Sequence, residues 1–365
     1  MPDPARSYSR QKYFLNIFDA VYNFLLLLVF LSSGFSLFLE NFLSGIRLSG
    51  YPLVCAYLLS FLFCCYLLNL PFNFYSGFTL EHKFNLSNQK PGAWWLDQLK
   101  SGVLAYAFYL ILLTAFYWVL AQFRPWWLVI SVFWIIFSVV LAKLSPVLII
   151  PLFFKHKKLE DEVLRKRIFD LAARMKVELL DVFQIDFSKK TLKANAAFTG
   201  MGKTRRVLLA DTLQDKYTAD EIEVILAHEF AHYRLRHILK LIAVNSLVTV
   251  GIFYLIFKTS AYTLGMFKLE SLSQLPSLPL VLLYFMFFGM IAQPLEALIS
   301  RRFEREADAL ALKVTGSRDA FVSLMEKLAA QNLADRSPHP LIKFLFFSHP
   351  PIDERIKLAR EYKTS

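Results

Sequence analysis

Six long apolar runs, each bounded by charged or turn-forming residues, divide the chain. The first covers about residues 16–39 and follows a polar, basic leader with Arg6, Arg10 and Lys12. It is too long for a signal-peptide core and no small-residue cleavage site lies behind it, so an uncleaved anchor is expected. The second extends from Tyr51 to about Tyr75, more than the ~20 residues a helix needs to cross a bilayer. The third and fourth, near 102–121 and 126–150, are joined by a tight turn at Phe123-Arg124-Pro125. Trp126 and Trp127 then sit where an interfacial aromatic belt belongs. Lys143 and Pro146 lie inside the fourth run, and a charge at that depth faces protein or a wet cavity rather than lipid. The fifth and sixth runs occupy about 238–257 and 278–299, the last with Pro294 as a kink position.

Polar blocks separate these spans. Residues Lys155 to Arg174 are charged with helical periodicity, and the runs Asp181–Asp186 and Arg205–Ala210 read as short strands. After the sixth span the chain is amphipathic and helical to Thr315-Gly316, then polar to its end. Four regions follow: 1–154 with four spans, a metal-binding polar block at 155–237, two further spans at 238–299, and a second polar block at 300–365. Six spans place both termini on one side. Basic residues crowd the N-terminus, the 81–100 loop, the 155–237 block and the C-terminal tail, whereas the opposite loops carry only scattered ones such as Arg47, Arg124, Lys258 and Lys268. The positive-inside bias then puts the polar blocks in the cytoplasm.

Composition agrees with this reading. The 365 residues are 56% apolar and 16% aromatic, with 36 Phe against 12 Gly, too greasy for a soluble protein of this length. The net charge of +12 belongs to the cytoplasmic loops of a membrane protein, and no nucleic-acid partner is expected. Cys55, Cys64 and Cys65 all lie in one apolar run, where they offer neither a disulfide framework nor metal-ligand spacing.

The chemistry is concentrated in His228-Glu229-Phe230-Ala231-His232. Thr218 with Glu221 forms the sequence signature of a capping box, so a helix is expected from there onward. Four residues apart on one helix face, His228 and His232 can reach a single tetrahedral ion. Glu229 stands one step round, placed to hold and deprotonate a water rather than to bind metal. Chance produces this spacing in a chain of such length at roughly the one-in-a-hundred level, so further support is needed. The run Ser300-Arg-Arg-Phe-Glu-Arg-Glu-Ala-Asp supplies it. Glu304 and Asp308 are four apart on one helix face, as required for a glutamate completing a His-His-Glu zinc site and an aspartate orienting a ligand histidine from behind. The alternative is a solvated helix whose acids pair with Arg301, Arg302 and Arg305. Glu306 lies about 200° round from Glu304 and is expected to face solvent or Arg302, away from the metal.

Beyond these residues the chain resembles the type 1 CAAX prenyl proteases, integral-membrane zinc metalloproteases. The resemblance is carried by Leu70-Pro-Phe-Asn-Phe-Tyr with Leu80-Glu-His-Lys-Phe, by Ile150-Pro-Leu-Phe, and by Asn195-Ala-Ala-Phe-Thr-Gly followed by Arg206-Val-Leu-Leu-Ala-Asp-Thr-Leu. Ser348-His-Pro-Pro-Ile-Asp-Glu-Arg adds a C-terminal motif, and the similarity runs from about residue 16 to 360. Two departures stand out. Eukaryotic members have seven spans, the first of which is missing here, and the loops are shorter, as expected of a prokaryotic member.

The resemblance implies an all-α integral membrane protein. Its spans would form a helical barrel around an intramembrane chamber, with a small soluble zinc-protease domain containing a short β-sheet. It implies one Zn²⁺ per chain on His228, His232 and Glu304, with Glu229 as base and Asp308 behind a ligand histidine. Asn195 and His349 would help stabilise the oxyanion, with Asn195, Ala196 and Arg355 contacting substrate or its neighbours. Asn and His suit that task as donors toward developing negative charge, and an exposed strand edge ahead of the metal helix can hold an extended peptide. His82, His156, His237 and His339 have no partner spacing and are expected to be interfacial or solvated. The implied activity is removal of the C-terminal tripeptide from prenylated proteins at the bilayer. A prokaryotic inner membrane is the expected location, with the endoplasmic reticulum membrane as alternative. Competing readings are a broader membrane-protein quality-control protease and a non-catalytic protein that binds lipid or peptide.

Overall fold

The computed structural model describes residues 3–200, 204–214 and 216–362; the extreme ends of the first and last regions lie outside it. Helix α1, Pro4–Ser32, opens with the Asp3 side chain accepting from the Ala5 amide. The first span, expected to continue to residue 39, instead stops at Ser32. Gly34 has φ 72, a left-handed conformation open to glycine, and it turns the chain into a separate short helix α2, Phe35–Gly45. An apolar run does not record a reversal made by one glycine.

The next spans are more continuous than their hydropathy indicates. Helix α3, Gly50–Phe74, passes through one π turn at Tyr75–Thr79 into α4, Leu80–Lys83. Pro71 lies just upstream and lacks the amide needed for a regular ladder. Helix α5 covers Pro91–Gln122 and α6 covers Trp126–Leu144. A π turn at Ser145–Ile149, containing Pro146, then leads to α7, Ile150–Phe153.

The polar block begins with strand β1, His156–Lys158, where helix had been expected from Lys155. Helix α8, Glu162–Arg174, starts only where Asp161 can cap the amides of Val163 and Leu164. Strand β2 is Asp181–Ile185, β3 is Ala196–Thr199 and β4 is Arg206–Ala210. The sheet order is β1-β2-β4-β3, with β2 and β4 parallel and the outer pairs antiparallel. Among the described residues β3 and β1 form the two edges of the sheet, and β3 begins one residue after Asn195.

Short helix α9, Asp211–Gln214, precedes α10, Ala219–Arg234. The capping box expected from Thr218 and Glu221 is formed. Helix α11 is His237–Met266 and α12 is Leu278–Thr315, which ends at Gly316 with φ 66. Helices α13, Arg318–Gln331, α14, Pro340–Phe346, and α15, Ile352–Glu361, complete the chain.

The long helices form a closed ring. Each packs on the next in the order α3, α5, α6, α11, α12, α1, and α1 returns to α3 through Tyr22 to the Leu68 carbonyl and Asn69 to Asn23. Apart from α12, these helices bury only 6–22% of their most apolar windows within the protein. Most of their apolar surface is therefore not packed against the rest of the protein, as for helices that face a bilayer. Packed apolar cores close the two ends. One joins Tyr57, Phe61, Ile130, Phe253 and Tyr284; the other joins Leu171, Val207, Leu209, Phe230 and Phe321 of the polar domain. Among the described residues only α12 belongs to both. It carries the sixth span and runs unbroken into the polar domain, so residues 300–315 are placed rigidly relative to the membrane.

The capping box also ties the metal helix to α13. The buried Glu221 carboxylate accepts from the Thr218 amide at 2.8 Å, Ser323 Oγ at 2.6 Å and Lys327 Nζ at 2.7 Å. Burial works against its charge, but Lys327, Ser323 and the Thr218 amide outweigh it and hold the carboxyl below its usual pKa. A depressed folded pKa contributes stability above the unfolded value of about 4.3, lost as pH falls through the folded value. Glu221→Gln should therefore cost about 1–2 kcal/mol at pH 7, with the gap from wild type closing below about pH 4. Unfolding of the detergent-solubilised protein across pH measures this, and a gap independent of pH would refute the charge argument.

Candidate metal centre

Helices α10 and α12 lie face to face, and their contact brings together three donors separated by up to 76 residues in sequence. His228 Nε2 is 3.1 Å from His232 Nε2 and 3.2 Å from Glu304 Oε2, and His232 Nε2 is 3.3 Å from Glu304 Oε1. Bonds of about 2.0–2.1 Å at tetrahedral angles put neighbouring donors about 3.3 Å apart, so this triangle fits one zinc-sized ion. Among the described residues it is the one group of three or more such side chains with ligand atoms close enough to share a metal. The buried Glu304 Oε2 has no hydrogen-bond partner among them, as a metal-directed oxygen would not.

The electrostatics also call for a cation. Burial opposes charge on His228, yet the carboxylates of Asp308 and Glu304 overcome it and push the imidazole up to about 9. The site thus attracts positive charge at the donor triangle, as a proton or as a metal that displaces it. Behind His228, Nδ1 is 2.8 Å from Asp308 Oδ1, which leaves Nε2 bare when Nδ1 carries the hydrogen. Asp308 has no exposed surface. Arg355 satisfies it with a fork, Nη2 to Oδ1 at 2.6 Å and Nε to Oδ2 at 2.8 Å.

Glu229 is half-buried beside the triangle. Burial raises its pKa, while the two histidines and a hydrogen bond from the Phe198 backbone pull it back. A cavity of about 250 Å³ is lined by Asn195, Ala196, His228, Glu229, His349 and Arg355 among others. His349 is exposed, with Nε2 3.4 Å from Glu304 Oε1 and Nδ1 2.9 Å from Ser348 Oγ. Asn195 is exposed at the mouth of the same cavity, and its carbonyl accepts from the Ala210 amide at 3.1 Å. All the candidate residues therefore gather at one place. Arg355 differs from the others in being committed to Asp308, a neighbour of the ligands.

Other contributors had no motif to mark them. Arg301, read as a possible solvated charge, is buried and donates to the carbonyls of Lys343, at 3.0 Å, and Phe347, which fixes the chain leading to His349. Asn332 Oδ1 accepts from the Ala194 amide beside Asn195 at 3.0 Å. Glu81 receives Lys12 and Lys193 at 2.8 Å and Tyr8 at 2.7 Å, which ties the Glu-His-Lys-Phe segment to the approach to Asn195. His82, expected to be interfacial or solvated, is held with its ring nitrogens 2.8 and 3.0 Å from the Phe78 and Gln89 carbonyls. The same expectation for His237 needs correction. His237 is fully buried and contacts His232. Five-residue spacing gives no hint of this on a helix, because the contact depends on a break between them. Glu306 meets Arg302 as expected, at 3.1 Å, but also His237 at 3.2 Å.

Residues 3–155 match the family model described as CAAX prenyl protease N-terminal, five membrane helices, and residues 158–363 match that of peptidase family M48. Over 96% of this chain and 84% of the relative, the sequence is 32% identical to a Saccharomyces cerevisiae protein named CAAX prenyl protease 1. A Bacillus subtilis protein named as an uncharacterized metalloprotease, YhfN, is 30% identical over 98% of this chain and 85% of its own. The crystal structure of S. mikatae Ste24p superposes with a TM-score of 0.88 at 30% identity, covering 98% of this chain and 88% of that one.

If Asp308 holds the His228 tautomer, Asp308→Asn should weaken metal affinity about 10–100-fold. Glu304→Ala should instead lose most of the metal, because a ligand is gone. Competition against a chelator of known affinity measures both. Equal losses in the two variants would show that Asp308 does more than orient the ring.

Proposed function

Starting from the fact that this chain belongs to peptidase family M48 and is a multi-pass membrane metalloprotease with a helical-barrel fold, we propose that it holds one Zn²⁺ and cleaves prenylated protein C-termini. The observation that carries the zinc assignment is the donor triangle of His228, His232 and Glu304, at 3.1–3.3 Å, with Glu229 beside it. Two imidazoles and one carboxylate are the donor set of hydrolytic zinc sites that keep a position open.

When bound, zinc supplies the Lewis acidity that activates water and polarises the scissile carbonyl. The protein's own residues do the rest. Glu229 takes a proton from the attacking water on its carboxylate and delivers it to the departing amide nitrogen. Burial raises its pKa, which makes the carboxylate a stronger base. Asn195 Nδ2 and His349 donate toward the carbonyl oxygen as it gains charge. The free edge of β3, with Ala196 at its start, offers backbone groups to an extended peptide. Arg355 acts from behind by fixing Asp308 and through it His228.

The prenyl specificity is supported by the match to the CAAX prenyl protease N-terminal model and by the printed name of the yeast relative. We retain the four-region division at 1–154, 155–237, 238–299 and 300–365, and a cytoplasmic active site in a prokaryotic inner membrane. A broader membrane-protein protease is the second reading, favoured by a bacterial relative named only as a metalloprotease.

Glu229→Gln should abolish peptide hydrolysis while zinc stays bound, because the neutral isostere removes the base and leaves the ligands. Near-normal turnover would sink the mechanism. Purified wild-type protein should contain one zinc and cleave a farnesylated CAAX peptide much faster than the same peptide without lipid. Equal rates on the two peptides would favour the broader protease.

A further inference from the structure

His228 has a carboxylate directly behind it, but His232 does not. Behind His232 lies another histidine. Helix α10 ends at Arg234, and Arg236, at φ 57, turns the chain through the left-handed region before α11 begins at His237. In one continuous helix positions 232 and 237 would lie about 140° apart and could not meet. The break folds His237 back, so that its Nδ1 stands 3.1 Å from His232 Nδ1. The His237 ring has no exposed surface and stacks on Phe303, with centroids 4.4 Å apart and planes 8° apart. Its Nε2 is 3.2 Å from Glu306 Oε2, and Glu306 Oε1 in turn accepts from Arg302 Nε at 3.1 Å.

One hydrogen placement along this row leaves the triangle open to a metal. The Glu306 carboxylate only accepts, so His237 Nε2 carries the hydrogen. Neutral His237 then has a bare Nδ1, which accepts from His232 Nδ1–H. That leaves the lone pair of His232 on Nε2, in the donor triangle 3.3 Å from Glu304 Oε1. The reverse arrangement would put an N–H into the triangle and block a ligand position. We propose that His237 and Glu306 are positioning residues that set the tautomer and ring orientation of His232 for metal binding. His237 is not itself a ligand, since the nitrogen it turns toward His232 meets Nδ1, on the far side of that ring from the triangle. Each ligand histidine is thus backed by a carboxylate of α12, His228 directly by Asp308 and His232 through one intervening ring by Glu306.

This inference rests on the zinc reading above, and the test separates the two. Zinc affinity is measured by chelator competition on the full-length, detergent-purified chain for wild type, His237→Phe, His237→Asn and Glu306→Ala. The absorption spectrum of each protein loaded with Co²⁺ in place of zinc provides a second readout of the ligand set. His237→Phe keeps a ring against Phe303 but removes the acceptor, and should lose about 10–100-fold in affinity. His237→Asn returns a carbonyl oxygen near the Nδ1 position and should recover most of that loss. Glu306→Ala should lose about tenfold, toward the lower end of the range for such outer contacts. Wild-type affinity in both His237→Phe and Glu306→Ala would overturn the proposal, as would His237→Asn binding as weakly as His237→Phe, which would mean that the histidine only fills space. Should His237→Phe fail to fold, the Asn and Glu306 variants decide alone. A wild-type chain that binds no zinc overturns the function reading and this inference together, whereas tight wild-type binding with unchanged variants overturns only this one.

Discussion

A carboxylate with no exposed surface lies at the junction of three helices, and the geometry of the site depends on keeping it ionised. Asp308 on α12 accepts from His228 on α10, 80 residues earlier, and from Arg355 on α15, 47 residues later. A lone buried charge is expensive, whereas one with a forked guanidinium and an imidazole N–H has its oxygens satisfied. Satisfying it requires all three helices to sit where they do. The orientation of the His228 ring and the docking of the C-terminal helix are therefore one interaction, and the loss of any partner exposes the others to the full cost of burial.

The ring of spans gives this junction a rigid base. Helix α12 crosses from the apolar cluster at one end of the ring to the polar domain at the other without interruption, and Glu304 lies on its last third. Glu304 is then fixed to the membrane part by a helix rather than by a loop. On the opposite side of the site, the strand carrying Ala196 is held by Asn332 through Ala194 and by Glu81 through Lys193. The two sides of the cavity, donor triangle and strand, are thus both referred to helices of the ring.

Much of this was legible because it is local. Helical spacing placed His228, His232, Glu304 and Asp308 on single faces, and the capping box announced the metal helix. Alternation and turn residues revealed β2 and β4, but strands β1 and β3 are three and four residues long and too short for periodicity to register. The break at Gly34 was hidden because apolar residues continue on both sides of it. Arg301, Asn332 and His237 were opaque for a different reason. Each acts on a backbone or ring that only tertiary folding brings to it, and in sequence each looks like an ordinary polar residue next to a helix.

Charge balance connects these partners to the donor triangle. Asp308 is neutralised by Arg355, and Glu306 is paired with Arg302. Glu304 faces both histidines at the cavity, and Glu229 stands beside them with burial raising its pKa. The buried Glu304 carboxylate calls for positive charge beside it, because an unbalanced buried charge costs several kcal/mol per ion. A proton on His228 supplies such a charge. A metal cation supplies it too and also fits the donor triangle, which a proton cannot span. Arg355 therefore does more than hold a carboxylate in place. By cancelling the fully buried Asp308, it lets that carboxylate orient His228 without leaving an unbalanced negative charge behind the donor triangle.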